Sequence, residues 1–105
     1  MTFLDMAETY YEAAVVAQSS NVVACFLELS AELALKHLYD NTETPRSISW
    51  LVRRIPDNSP LNKTDLVDVQ DMLESWRSGA IYASKSDIEC VFSVIGRLLN
   101  VIHGL

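Results

Sequence analysis

Apolar residues recur along this chain mainly at intervals of three and four, so the pattern predicts helices and no strand. Five helical segments are legible. The first runs from about Phe3 to Ala17, with Thr2 and Asp5 as a capping-box-like start and Phe3, Met6, Tyr10, Ala13 and Ala17 as its stripe. Ser19-Ser20-Asn21 breaks the chain and supplies an N-cap for a second helix ending near Tyr39. Thr44 is placed to cap a short third helix with Pro45 at its first position, where a missing N–H does no harm. Its core face would be Ile48, Leu51, Val52 and Ile55. The PDNSP stretch from Pro56 to Pro60 cannot continue a helix. A fourth helix spans roughly Lys63 to Ser78, with Leu66, Val69, Leu73 and Trp76 inward and Gly79 as its C-cap. Ser86 and Glu89 form an S-x-x-E capping box for the last helix. That helix turns Ile88, Val91, Phe92, Ile95, Leu98, Leu99 and Ile102 inward and ends at Gly104. Short connections between long helices imply antiparallel neighbours. The expected fold is all-α: an up-and-down bundle of four long helices plus one short helix.

The second helix is the most distinctive. Val22, Cys25, Phe26, Leu29 and Leu33 share one face, while Ala24, Ala31 and Leu35 fall opposite. A helix apolar on two sides must bury both, at the centre of a bundle or in a subunit interface. Val94 and Val101 also widen the apolar arc of the last helix beyond one face. A homodimer is therefore expected.

The 105 residues suit a single domain over 1–105, and a half-apolar, one-fifth-charged composition argues for a compact globule rather than disorder. No apolar run approaches the roughly 20 residues of a spanning helix, so no membrane association is expected. The acidic opening MTFLDMAETYYE lacks the basic region of a secretory signal, which makes cytoplasmic the default location. Cys25 and Cys90 lie on apolar helix faces and read as reduced core thiols. His37 and His103 are isolated, so neither a metal nor a cofactor is implied. A net charge of −6 is a poor footprint for duplex-DNA binding, because phosphate neutralisation supplies most of such affinity. A small basic site on an acidic body remains compatible with it.

Three sets of charges stand out. Arg77 projects with Leu66 and Leu73 toward the core side of its helix. It either snorkels from the last turn into water or is held, partly buried, for an anion, with Glu32 as the first internal partner. Glu32 and Lys36 are spaced for an i,i+4 pair, but Lys36 lies close to the apolar centre line and either borders a cleft or runs along the core edge. On the third helix, Arg46, Trp50 and Arg53 gather on one outward face with Arg54 at its edge. Arginine beside an aromatic is the composition of RNA stacking surfaces and of protein hot spots; a solvated face with one packed-down Trp would look the same. No nucleophile constellation, phosphate loop or paired acid is evident.

Taken together, AETYYEAAVVA, ACFLELSAELALKHLY, RSISWLVRRI and LESWRSGAIY, followed by a long apolar helix, resemble the HEPN domain (higher eukaryotes and prokaryotes nucleotide-binding) over nearly the whole chain. The most specific piece is Ala31-Glu32-Leu33-Ala34-Leu35-Lys36, similar to the family's A-E-x-x-L-K. Ile48, Leu51 and Val52 occupy the apolar places of its H-x-L-x-x-L-L segment, and Arg77 falls where members carry a late arginine. The resemblance implies a four- to five-helix bundle, often a homodimer, met in toxin–antitoxin, defence and mobile-element contexts. Catalytic members are metal-independent RNases with an R-x(4–6)-H motif. Here no histidine follows Arg77 in range; Tyr82 stands at the x4 spacing, and Arg46 replaces the third-helix histidine. A phenol titrating near 10 is a poor base at neutral pH.

The expected function is accordingly a non-catalytic HEPN-like binding module for a nucleotide, RNA or protein partner. A cognate antitoxin or nucleotidyltransferase-like protein is one such partner. Glu32, Lys36, Arg77 and Tyr82 are the candidate ligand site, and Arg46, Trp50, Arg53 and Arg54 the candidate partner or RNA surface. The alternatives are a metal-independent endoribonuclease using Arg77 with Tyr82 and a purely structural interaction subunit.

Overall fold

Local sequence decides where each helix begins. In the computed structural model, which describes residues 1–78 and 84–105, α1 (Phe3–Val16) opens on a true capping box. The Asp5 N–H donates to Thr2 Oγ1 at 3.1 Å and the Thr2 N–H donates to Asp5 Oδ2 at 2.9 Å. Next come α2 (Ser20–Tyr39), α3 (Ile48–Val52), α4 (Lys63–Arg77) and α5 (Lys85–His103). Among the described residues the fold is all helical, four long helices and one short. Its radius of gyration is 12.7 Å, close to the ~13 Å of a compact 100-residue domain. Among those same residues no helix is long and apolar enough to cross a membrane.

α2 is the central element and touches all four other helices. Its partner α1 runs antiparallel to it: Tyr10 packs on Phe26, Ala7 meets Ser30, and Phe3 lies under Lys36. The seam follows small residues. Ala7, Ala14, Ser30, Ala31 and Ala34 are fully buried, and Ser30 Oγ donates to the Ala7 carbonyl at 2.7 Å. The stripe expected for α1 is therefore displaced. Leu4, Ala7 and Ala14 face the core, while Phe3, Met6 and Tyr10 splay to its flanks, because the helices approach most closely where side chains are smallest.

α5 lies antiparallel to α1, with Tyr11 edge-on to Phe92 and donating to the Phe92 carbonyl at 3.3 Å. Gly96 leaves the space that the Tyr11 hydroxyl occupies: a Cβ there would stand 2.9 Å from it. On α5, Val91, Ile95, Leu98, Leu99 and Ile102 are buried as the spacing requires, with Ile88 and Phe92 partly so. Leu66, Val69, Leu73 and Trp76 of α4 complete the opposite wall.

Several local expectations are corrected. α3 starts at Ile48 with Ser47 as its cap, not at Thr44-Pro45, because the Thr44 carbonyl is taken by the Lys36 ammonium. Ile55 is buried but lies past the end of α3. α5 is capped by Ser84, which accepts from the Asp87 N–H, so the capping residue lies two positions before Ser86 and adds residues to the helix. Ser78 is the C-cap of α4; Gly79 lies outside the described residues. Cys25 and Cys90 are exposed free thiols rather than core hydrophobes. Val94 is buried and Val101 packs partly against the core, so the wide arc of α5 is filled within one chain. The second face of α2 is not: Val22 is 41% exposed, Leu29 37%, and Cys25 lies between them.

Candidate functional site

Two sites flank α2. At its middle, Glu28 and Glu32 stand one helical turn apart beside the C-terminus of α4. Arg77 Nη1 donates to Glu28 Oε1 at 2.5 Å. The arginine side chain is 60% exposed and the glutamate only 13%. Two expectations change here. Arg77 is solvated, as a residue in the last turn of a helix can be, and it pairs with Glu28 rather than Glu32. Glu32 is pushed up to about 7, first by burial, then by the charge of Glu28 and a hydrogen bond with it; Arg77 and Lys36 oppose the shift. A paired acid that the sequence concealed is thus present. Glu28 lines an open cleft of about 320 Å³ with Asn21, Cys25, Trp76 and Arg77. Glu32 lines another of about 280 Å³ with Phe3, Leu29, Leu33 and Arg46. Tyr82, the expected companion of Arg77, lies outside the described residues.

Lys36 makes no ion pair with Glu32 among the described residues, yet it lines the same cleft as Glu32 at the core edge. It is buried, donates to the Thr44 carbonyl at 2.5 Å, and stands 3.9 Å from Asp40 and 5.2 Å from the Phe3 ring centre. Its role is to tie the α2–α3 connection to α1 and α2. Asp40 continues that tie. It accepts from Arg46 Nε at 2.8 Å and from Thr42 Oγ1 at 2.8 Å, and these bonds hold its carboxyl below the usual range.

The second site grows out of this corner. The Arg46 guanidinium carbon is 4.1 Å from the Trp50 ring centre and that of Arg54 is 3.9 Å from it. Both guanidinium groups therefore crowd one indole, and the three side chains form a single cluster. Each such contact is worth roughly 0.5–1 kcal/mol at an exposed site, enough to restrain side chains that otherwise rotate freely. Arg54, expected at the edge, is a member of the stack; Arg53 caps α3 and points to solvent. Neither Arg53 nor Arg54 has a carboxylate partner among the described residues. Sequence spacing missed the stack because Arg54 lies beyond the helical residues of α3 and so is not placed by helical angles.

Elsewhere, His103 is not isolated. Its Nε2 faces Glu8 Oε1 across the α1–α5 groove.

Set against models of known protein families, curated proteins and solved structures, the chain matches none of them.

Proposed function

We propose that this chain is a HEPN-like helical binding module that recognises a macromolecular partner without cutting it, in a toxin–antitoxin, defence or mobile-element setting. The carrying observation is the Arg46–Trp50–Arg54 stack: three rotamer-rich or bulky groups held ready at the surface of an acidic protein. Support for a non-catalytic role comes from Arg77, whose charge is engaged by Glu28 and set beside a second carboxyl, a poor cradle for a phosphate. The module works as a homodimer joined through the outer face of α2, where Val22 and Leu29 are left uncovered. The test is incubation of the purified chain with single-stranded RNA in the presence of a chelator. RNA should stay intact, and Arg77→Ala should change nothing.

One observation favours a second reading, a metal-independent endoribonuclease. Glu32 titrates near neutrality within reach of Arg77's field, as a general base should. On that reading cleavage would rise between pH 6 and 8 and vanish in both Glu32→Gln and Arg77→Ala. Tyr82 keeps the place of the family's histidine in it.

A further inference from the structure

The indole of the α3 cluster is crowded by two guanidinium groups and partly buried, and that limits what it can bind. A nucleobase stacks on an aromatic face. With the Arg46 and Arg54 guanidinium carbons both about 4 Å from the ring centre and Trp50 itself packed against the core, little of the indole is left open to one. What remains available is guanidinium edges, which offer forked N–H donors to carboxylates.

We infer that the Arg46–Trp50–Arg54 ladder is a docking site for an acidic segment of a partner protein, held in extended conformation with carboxylates at alternate positions. The inference rests on the binding-module reading above and names the class of partner. Spacing supports it. At 4.1 and 3.9 Å from one ring centre, the two guanidinium carbons are at most about 8 Å apart. Alternate side chains of an extended chain lie on one face about 7 Å apart.

Charge distribution points the same way. The body carries a net −6, and three of its eight basic residues fall between Arg46 and Arg54. A long polyanion such as RNA must run past this patch onto acidic surface. A short acidic segment meets only the patch, because charges beyond about 8 Å are screened at physiological salt. The site is also built in advance. Arg46 spends its Nε on Asp40, which leaves its terminal nitrogens for a ligand, and Arg54 has its rotamer held by the ring. Little side-chain freedom is left to lose on binding.

The experiment is fluorescence anisotropy with three labelled probes. They are an extended Gly/Ser peptide with Asp at alternate positions, the same peptide with Asn for Asp, and a 12-nucleotide single-stranded RNA. The acidic peptide should bind, weaken as salt rises, and lose at least about tenfold affinity with Arg54→Glu. Arg54 is exposed and lies outside the helices, so this variant should fold; circular dichroism checks it. The neutral peptide should not bind. RNA binding that exceeds peptide binding and falls with Arg54→Glu would overturn the inference while leaving the binding-module reading intact. Binding of neither probe would overturn both. Peptide binding indifferent to Arg54→Glu would place any acidic-peptide site elsewhere and overturn this one.

Discussion

Replacing Glu32 by Gln should make the protein more stable, and only at neutral to alkaline pH. The Glu32 carboxyl ionises at 4.5 in an ordinary setting and at about 7 in the fold. Between those values the unfolded chain has released the proton while the folded one still holds it. Stability therefore falls as pH rises through this window, and the deficit is complete above about 7. At about 1.4 kcal/mol per pH unit the full gap would be about 3.4 kcal/mol. Glu32 is only partly buried, and screening by water reduces this to about 1–2 kcal/mol. Urea unfolding of wild type and Glu32→Gln at pH 4 and pH 8 reads the effect directly. The two should coincide at pH 4, and the variant should exceed wild type by about 1–2 kcal/mol at pH 8. Using the difference between the two proteins cancels the opposite pH dependence of Asp40, which is lowered and present in both. A second variant, Glu28→Gln, removes the neighbouring charge and should bring the Glu32 titration down in a carbon-detected NMR experiment. An equal difference at both pH values, or a wild-type Glu32 that titrates near 4.5, would refute the raised carboxyl.

Arg77→Ala should cost only about 0.5–1 kcal/mol in urea unfolding, because the guanidinium is largely solvated; a loss above 2 kcal/mol would mean a buried pair. Ala7→Leu should cost about 1–3 kcal/mol and lower the melting temperature, since Ala7 has no free space against Ser30; unchanged stability would show that the α1–α2 seam is not close-packed. Equilibrium sedimentation should give twice the 11.8 kDa chain mass for wild type and one times for Leu29→Glu, with the helical spectrum of both unchanged; a monomeric wild type would refute the α2 interface.

How far the sequence announces all this depends on whether hydrophobicity or size decides a contact. α4 is legible because its apolar residues form one narrow stripe between acids, so Leu66, Val69, Leu73 and Trp76 have only one way to face. α1 is misread because Phe3, Met6 and Tyr10 are more apolar than Ala7 and Ala14, yet close approach of two backbones rewards the smaller residues. The cap of α5 is ambiguous for a different reason. Ser84-x-x-Asp87 and Ser86-x-x-Glu89 both satisfy capping chemistry, and the upstream choice wins by adding hydrogen bonds to the helix. At the candidate sites, angular reasoning finds that Arg77 meets an acid of α2 but misses by one turn which acid it is. It finds the basic-aromatic corner too. It has no means of placing Arg54, whose position follows from the turn after α3, nor of foreseeing that the Lys36 ammonium takes the Thr44 carbonyl.

The α1–α2 seam also bears on the order in which the chain folds. Ala7 and Ser30 are 23 positions apart and Tyr10 and Phe26 only 16, so the helical hairpin closes with a short loop and little lost chain entropy. The Tyr11–Phe92 contact spans 81 positions and cannot form until the intervening chain is gathered in. Loop-closure entropy therefore favours a folding order in which the hairpin forms first and α5 docks last.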